Sequence, residues 1–167
     1  GRSWRWTVAG ARCTPGVEAM EFTRHIPFLH LLGAQLLRFE VGESEIALDI
    51  RDELHNSWQV AHGGVLMTLL DVAMAQATRL PRKPEEGPDP RGVVTIEMKT
   101  TFMQPARGPL SGKGRLMHRT ATMAFTEATI FDAGGRACAH ATGTFKYVRR
   151  LPTGPKSANP LNVISTD

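Results

Sequence analysis

The 167 residues of this chain are enough for one domain whose hydrophobic core needs no disulfide bonds. The sequence has no apolar run of membrane-spanning length, and its net charge of +4, half of it within residues 1–19, is not clustered as in a nucleic-acid-binding protein. The two cysteines, Cys13 and Cys138, lack the spacing of a disulfide framework or a metal site, which favours a reducing compartment, the cytoplasm.

Two segments without a clear pattern flank the regular part of the sequence. Residues 1–19 have no continuous apolar core, so they do not indicate a secretory signal, and we expect a disordered N-terminal extension. Residues 20–148 form the predicted domain. Three prolines within residues 149–167 predict a loosely ordered C-terminal tail.

One long apolar helix and six strands are predicted within this domain. A short helix or pair of turns is expected to be interrupted at Pro27 and to end near Gly33. The run behind a His-Gly-Gly turn predicts a helix over about residues 64–79, and four prolines in residues 80–92 predict an exposed loop. Strand patterns occupy residues 34–42, 44–50, 92–105, 109–119, 121–132 and 136–148, with hairpin turns at Gly42–Glu43 and Asp132–Gly135.

This order of elements predicts an α+β fold in which an antiparallel sheet packs on one helix. Because the helix is apolar nearly all round, we expect the sheet to curve around it and enclose it. In the first strand after the helix, Val94, Ile96 and Met98 alternate with Thr95 and Glu97. The alternation predicts that these two sets of side chains lie on opposite faces of the sheet.

Asp71 is the only ionisable residue within the apolar run of the predicted helix. Three- and four-residue spacing puts it on one helix face with Gly64, Thr68, Ala75 and Thr78, all of them small. Such a face leaves room for a ligand or another chain. A buried carboxylate needs a partner, so an Asp that is hydrogen-bonded for structural reasons alone is an equally simple interpretation.

The turn His62-Gly63-Gly64 precedes the helix, where unobstructed amides can polarise a carbonyl group. Gly63 and Asp71 are eight residues apart, about 12 Å along a helix axis, so they cannot both reach one reacting atom. A site that uses both residues must take Gly63 from one subunit and Asp71 from another. The spacing therefore predicts a dimer with composite sites, although plain turn chemistry would also explain the two glycines.

The segment HNSWQVAHGGVLMTLLDVAMAQA (residues 55–77) has an Asn, a His-Gly-Gly six residues later and an Asp nine residues beyond the His. Together with VVTIEMKTTFMQPA and GRACAHATGTFKYV, it resembles the acyl-CoA thioesterases of the hot-dog fold, in particular the PaaI-like branch. The resemblance covers about residues 22–148. It implies a five- or six-stranded antiparallel sheet wrapped around one long central helix, and homodimers that often pair into tetramers. It implies no metal and no cofactor, since the CoA thioester is the substrate.

The resemblance also implies roles for individual positions. Asn56 would orient the thioester or a water, His62 would support the loop before the helix, and the Gly63 amide would polarise the thioester carbonyl. Asp71 of the partner subunit would act as general base or nucleophile, and Thr95 would help to place the water. Further positions expected to bind the substrate or its CoA part are Gly64, Thr68, Arg119 and Thr120.

Several of these residues also have a simpler structural interpretation. Asn56 is a residue type that favours turns and helix caps, and Thr95 is common on strands. Arg119 would suit an exposed surface equally well. Trp58 could line a pocket or anchor its loop.

The function predicted from these observations is hydrolysis of a small aryl or medium-chain acyl-CoA thioester to a carboxylic acid and free CoA. A non-catalytic acyl-CoA sensor of the same fold is the main alternative. A hot-dog enoyl-thioester hydratase is disfavoured, because its neighbouring catalytic His and Asp or Glu have no counterpart in this sequence. Neither a nucleic acid nor a membrane is expected as a partner. The acyl group and the choice between dimer and tetramer stay open.

Overall fold

The computed structural model describes residues 19–22, 25–82, 84–86 and 91–149. The two expected terminal segments, 1–19 and 149–167, therefore lie almost entirely outside the described residues. Two α-helices and six strands occur in chain order: α1 (Pro27–Leu32), β1 (Gln35–Glu40), β2 (Glu43–Ile50), α2 (Gly63–Ala77), β3 (Gly92–Phe102), β4 (Gly108–Arg119), β5 (Met123–Asp132) and β6 (Ala137–Val148).

All six strands form one antiparallel sheet in the order β1-β2-β4-β5-β6-β3. The predicted α+β architecture, with a six-stranded antiparallel sheet around one long helix, is confirmed. The strands that follow and precede α2 in sequence, β3 and β2, are separated in the sheet by β4, β5 and β6. As a result β3 is an edge strand, and one of its sides has no hydrogen-bonded neighbour within the described sheet.

Helix α2 lies on the sheet through one continuous apolar side, whose buried members include Leu66, Leu69, Leu70, Ala73 and Met74. Leu69 and Ala73 pack directly on two glycines of β4. A methyl group at Gly112 would lie 2.9 Å from Leu69 Cγ, and one at Gly114 only 2.3 Å from the Ala73 carbonyl oxygen. The Ser44 hydroxyl of β2 donates a hydrogen bond of 2.7 Å to the same carbonyl.

The sheet does not enclose the helix completely. Gly64 and Met67 are exposed, and Thr68 and Asp71 are only partly buried, so one side of α2 stays uncovered in the single chain. The expectation of an enclosed helix was therefore wrong for this side. The uncovered side is the one that carries Asp71, and the remaining sides supply the core. Among the described residues no helix is both long and apolar enough to cross a membrane.

The shorter elements agree with the sequence patterns except at Pro27. Pro27 begins α1 instead of interrupting a helix, because a proline at the first helical position forms no intrahelical N–H bond there and has a fixed helical φ. Gly33 ends α1 as predicted, with a φ of 79°. Hairpin turns at Gly42 and after Asp132 are confirmed; the Asp132 carboxylate accepts hydrogen bonds from the backbone N–H groups of Gly134 and Arg136.

Candidate active site

Asp71 lies on the uncovered side of α2, and its carboxylate has one hydrogen-bond partner among the described residues. The hydroxyl of Thr95, on β3, donates a hydrogen bond of 2.7 Å to Asp71 Oδ1. No basic side chain among the described residues forms an ion pair with it. Burial raises the pKa of Asp71 above its ordinary value, and the hydrogen bond from Thr95 opposes that shift. The geometry therefore provides a carboxylate that is partly desolvated but not neutralised by a cation.

A β-bulge at Ile96 brings Thr95 to the helix side of the sheet. Thr95 pairs with Phe145 of β6, a fully buried residue, but the next pair joins Glu97 to Thr144, so Ile96 is an extra residue in β3. The bulge shifts the alternation by one position, so Thr95 and Met98 share the inner face. The regular alternation predicted for this strand was therefore wrong, because one inserted residue reverses which side chains point inward.

His62 caps the N-terminus of α2. Its backbone is extended, with a φ of −62° and a ψ of 137°, and its Nδ1 accepts a hydrogen bond of 3.0 Å from the Gly64 N–H. The Gly63 N–H has no acceptor among the described residues, and it lies at the positive end of the helix. Nδ1 of His62 therefore pairs with the Gly64 N–H and leaves the neighbouring Gly63 N–H available to a ligand.

Asn56 organises the loop that leads into α2. Its side-chain oxygen accepts hydrogen bonds from the backbone N–H groups of Trp58 and Val60, at 2.9 and 3.4 Å. The side-chain oxygen of Asn56 thus stabilises a turn, which is the simpler structural interpretation of this residue. Arg107 holds the same loop from outside by donating a hydrogen bond of 2.5 Å to the Gln59 carbonyl. Trp58 does not anchor the loop, since 80% of its surface is exposed.

The two groups of candidate residues stay apart within one chain. Helix α2 is continuous from Gly63 to Ala77, so the separation of about 12 Å between Gly63 and Asp71 along its axis holds. The first group, at the start of the helix, comprises Asn56, His62 and Gly63. The second is the pair Asp71 and Thr95. A reaction that needs both groups at one atom requires a second copy of the chain.

Comparison with known proteins decides the family. A sequence profile of the thioesterase superfamily matches residues 59–139, which include most of the first group and all of the second. A provisionally named esterase of Pseudomonas aeruginosa is 33% identical over 126 residues, which cover 73% of this chain and 89% of that protein. This chain belongs to the thioesterase superfamily.

A second sequence relative and one solved structure are also similar to this chain. A medium/long-chain acyl-CoA thioesterase of Salmonella typhimurium is 28% identical over 97 residues, 52% of this chain and 63% of that protein. The Escherichia coli PaaI protein of the phenylacetic acid degradation operon superposes with a TM-score of 0.63 at 17% identity, over 72% of this chain and 83% of its own. The fold of this chain is thus the hot-dog fold, as the sequence resemblance implied.

Two predicted substrate-binding residues, Gly64 and Thr68, lie on the uncovered side of α2 between Gly63 and Asp71. The Thr68 hydroxyl donates a hydrogen bond of 2.9 Å to the Gly64 carbonyl. The hydroxyl oxygen of Thr68 can still accept a hydrogen bond from a ligand. Both residues are small, so a ligand can approach the helix backbone at this place. Their binding role stays a prediction.

The other two, Arg119 and Thr120, lie well away from Asp71 in the same chain. Thr95, Phe145, Ala124 and Arg119 are successive partners across β3, β6, β5 and β4, so three strand spacings, about 14 Å, separate Thr95 from Arg119. The Thr120 hydroxyl accepts a hydrogen bond of 3.0 Å from the Met123 N–H and closes the turn. A role of this turn in binding CoA therefore also needs a second subunit or an extended ligand.

One residue at the candidate site was missed in the sequence. Phe102, the last residue of β3, packs beside the start of α2: a methyl group at Gly63 would lie 3.5 Å from Phe102 Cζ. The polar and apolar residues around Phe102 alternate as in any half-buried strand, so no local signal in the sequence distinguishes Phe102. Among the described residues, no group of three or more His, Cys, Asp or Glu side chains is suited to hold a metal ion.

Proposed function

We propose that this member of the thioesterase superfamily is an acyl-CoA thioesterase that converts a small aryl or medium-chain acyl-CoA to a carboxylic acid and free CoA. The observation that supports this most directly is the partly buried Asp71, which has a hydroxyl partner and, among the described residues, no ion pair with a cation. A structural carboxylate on an apolar helix would be expected to have its charge compensated. The relative from Salmonella typhimurium, named for medium- and long-chain acyl-CoA, supports the substrate class.

The proposed active form is a homodimer, or a dimer of dimers, with composite sites. The free edge of β3 supports this proposal, since Thr95 and Phe102, which contact the two groups of candidate residues, both belong to that strand. A second copy placed along this edge would carry its own Asp71 towards Gly63. Each site would then contain the Gly63 amide of one subunit and the Asp71 carboxylate of the other.

In the proposed reaction, the Gly63 N–H donates a hydrogen bond to the thioester oxygen and stabilises the negative charge that develops on it. Asp71 accepts a proton from water as the water oxygen bonds to the carbonyl carbon. The carbon–sulfur bond then breaks, sulfur leaves with the electron pair, and it takes up a proton to give the CoA thiol. Asp71 as nucleophile would form an acyl-enzyme first, and both routes need the ionised carboxylate.

Other residues would position the reactants. His62 fixes the start of α2 through the Gly64 amide, and Asn56 holds the preceding loop, where its amide nitrogen would reach the thioester or the water. Thr95 would keep the Asp71 carboxylate in one orientation and help to place the water. Arg119 and Thr120 would contact the phosphate-bearing end of CoA, with Gly64 and Thr68 lining its path.

The first test measures release of free thiol from a panel of acyl-CoAs by the native protein and by Asp71→Asn. We expect Asp71→Asn to lose at least 100-fold in kcat/KM, since it removes the base and leaves the shape of the side chain. The control is Asp52→Asn, which changes a fully exposed carboxylate on the loop before Asn56. If the native protein binds acyl-CoA and releases no thiol, the acyl-CoA sensor replaces the thioesterase proposal.

A second test asks whether the sites are composite. Gly63→Pro replaces the N–H at the first helical position with the proline ring, and proline is favoured there and compatible with the extended His62 backbone. Gly63→Ala keeps the N–H and has room for the methyl group. Each of Gly63→Pro and Asp71→Asn alone should be inactive. A hybrid dimer of the two should regain about half of the native activity, because one of its two sites is intact; no recovery would contradict composite sites.

A further inference from the structure

An apolar surface stands beside the free Gly63 amide. It consists of Phe102, which packs on Gly63, and Met67, which lies one helical turn beyond Gly63 on α2. Both residues are exposed in the single chain, Phe102 to 51% and Met67 to 39%. We call these two side chains the apolar wall.

The apolar wall has the chemistry of a site for hydrocarbon. The charged residues that precede Phe102 on β3, Glu97 and Lys99, pair with Thr144 and Thr142 on the outer face of the sheet. Arg107 follows Phe102 in sequence, but its guanidinium is hydrogen-bonded to the Gln59 carbonyl. Among the described residues no Lys or Arg stacks on the Phe102 ring, so the two side chains of the wall offer contact to hydrocarbon.

A thioester bound to the Gly63 amide has two substituents on its carbonyl carbon, the acyl chain and the sulfur of CoA. From the sulfur, CoA continues as the pantetheine arm, whose amide groups need hydrogen-bond partners that the side chains of the wall do not offer, so the apolar acyl chain is the part that fits there. Contact with the wall removes apolar surface from water on both partners, which favours longer or aromatic acyl groups over acetyl. A chain of two carbons is too short to cover the Phe102 ring.

We infer that Phe102 is a specificity-determining residue, which selects apolar acyl groups of about six carbons or more, including phenylacetyl, by contact with its ring. This inference rests on the proposed function and names the part of the site that recognises the acyl group. It assigns to Phe102 no part in the chemical step.

The test measures binding without turnover, in the Asp71→Asn background. Calorimetry gives the Kd values of acetyl-CoA, hexanoyl-CoA and phenylacetyl-CoA with and without Phe102→Ala. We expect Phe102→Ala to weaken hexanoyl-CoA and phenylacetyl-CoA about tenfold, the scale of a lost apolar contact of this size, and acetyl-CoA less than about twofold. Phe102→Leu should retain most of the preference, because leucine restores an apolar contact.

The matched control is Phe28→Ala on α1. Phe28 is 53% exposed, so its removal takes away a phenyl group of the same exposure from another part of the surface. It should change none of the three affinities. The same variants with an intact Asp71 then give kcat/KM for each substrate.

Three results would overturn the inference. Phe102→Ala could weaken the binding of all three ligands equally, it could leave the ratio of the hexanoyl-CoA or phenylacetyl-CoA Kd to the acetyl-CoA Kd unchanged, or Asp71→Asn could fail to bind any of the three ligands. A change of the oligomeric mass on Phe102→Ala or Phe102→Leu would also overturn it, since the apolar wall would then be a subunit contact. If the native protein releases no thiol from any substrate, the thioesterase proposal fails, whereas the ratio of Kd values still tests the apolar wall.

Discussion

Thr95 and Asp71 are 24 residues apart in sequence and are joined by a hydrogen bond of 2.7 Å across the uncovered side of α2. The hydroxyl of Thr95 holds the carboxylate in place without supplying positive charge. Burial and this hydrogen bond shift the pKa of Asp71 in opposite directions, and burial has the larger effect. Their balance sets the pH above which the proposed base is ionised.

Thr95→Val should move the acidic limb of the pH profile of kcat/KM to higher pH. The substitution removes the hydrogen bond that lowers the pKa of Asp71 and leaves burial, which raises it. Activity should rise with pH in both proteins, because the carboxylate must be ionised, but the variant should need a higher pH to reach its plateau. Thr101→Val, on the outer face of the same strand, should leave the limb in place. An unshifted limb in Thr95→Val would contradict the role of Asp71 as the titrating group.

Asp71→Asn should raise the melting temperature at pH 7. Because the folded-state pKa of Asp71 is raised, its contribution to stability is present below the unfolded-state pKa and is lost as the pH rises through the folded-state value. The neutral amide avoids that loss and can still accept the Thr95 hydrogen bond. The difference between variant and native protein should shrink as the pH falls towards 4, roughly the ordinary pKa of an aspartate.

Asp132→Asn should change the melting temperature in the opposite direction in the same assay. Hydrogen bonds from the Arg136 backbone N–H and guanidinium, and from the Gly134 N–H, lower the pKa of Asp132. Its stabilising contribution is therefore present at neutral pH and is lost as the pH falls through the folded-state pKa. We expect a lower melting temperature for Asp132→Asn at pH 7. A change of the melting temperature in the same direction for both variants would contradict the opposite pKa shifts of Asp71 and Asp132.

Thr100→Val should stabilise the protein by about 1 kcal/mol, measured by chemical denaturation. The Thr100 side chain faces α2 from β3, and its buried hydroxyl has no hydrogen-bond partner among the residues that the structure describes, whereas valine has nearly the same shape. Thr126→Val is the matched contrast. The buried Thr126 hydroxyl donates a hydrogen bond of 3.1 Å to the Gly143 carbonyl, so its removal should destabilise the protein by about 1 kcal/mol. Destabilisation by Thr100→Val would mean that a water bonds to its hydroxyl.

Gly114→Ala should destabilise the fold by about 3 kcal/mol or more, because the new methyl group would meet backbone atoms that cannot turn away. It would lie 2.3 Å from the Ala73 oxygen and 2.9 Å from Ser44 Oγ. Gly92→Ala, also in a strand, would place its methyl group 3.3 Å from a Val148 side-chain carbon, which can move. Unfolding curves should show a small effect for Gly92→Ala, and a similarly small effect for Gly114→Ala would contradict this close packing of α2 on β4.

The sequence by itself determined the elements of the fold and the position of Asp71. Helix and strand periodicities are local, so α2, the six strands and the small-residue face around Asp71 could all be read from spacing. The distance between Gly63 and Asp71 could also be predicted from the sequence, since a continuous helix fixes it. Family resemblance added that five or six antiparallel strands wrap around this one helix.

Only the tertiary structure decided what faces Asp71 and Gly63. Both neighbours, Thr95 and Phe102, come from β3, and the bulge at Ile96 determines that Thr95 points towards the helix. A bulge arises from the register between two strands, which are joined by hydrogen bonds between residues about 50 positions apart, and no local pattern encodes it. The open edge of β3 likewise follows from the sheet order, because only the packing of all six strands shows which strand is left without a neighbour.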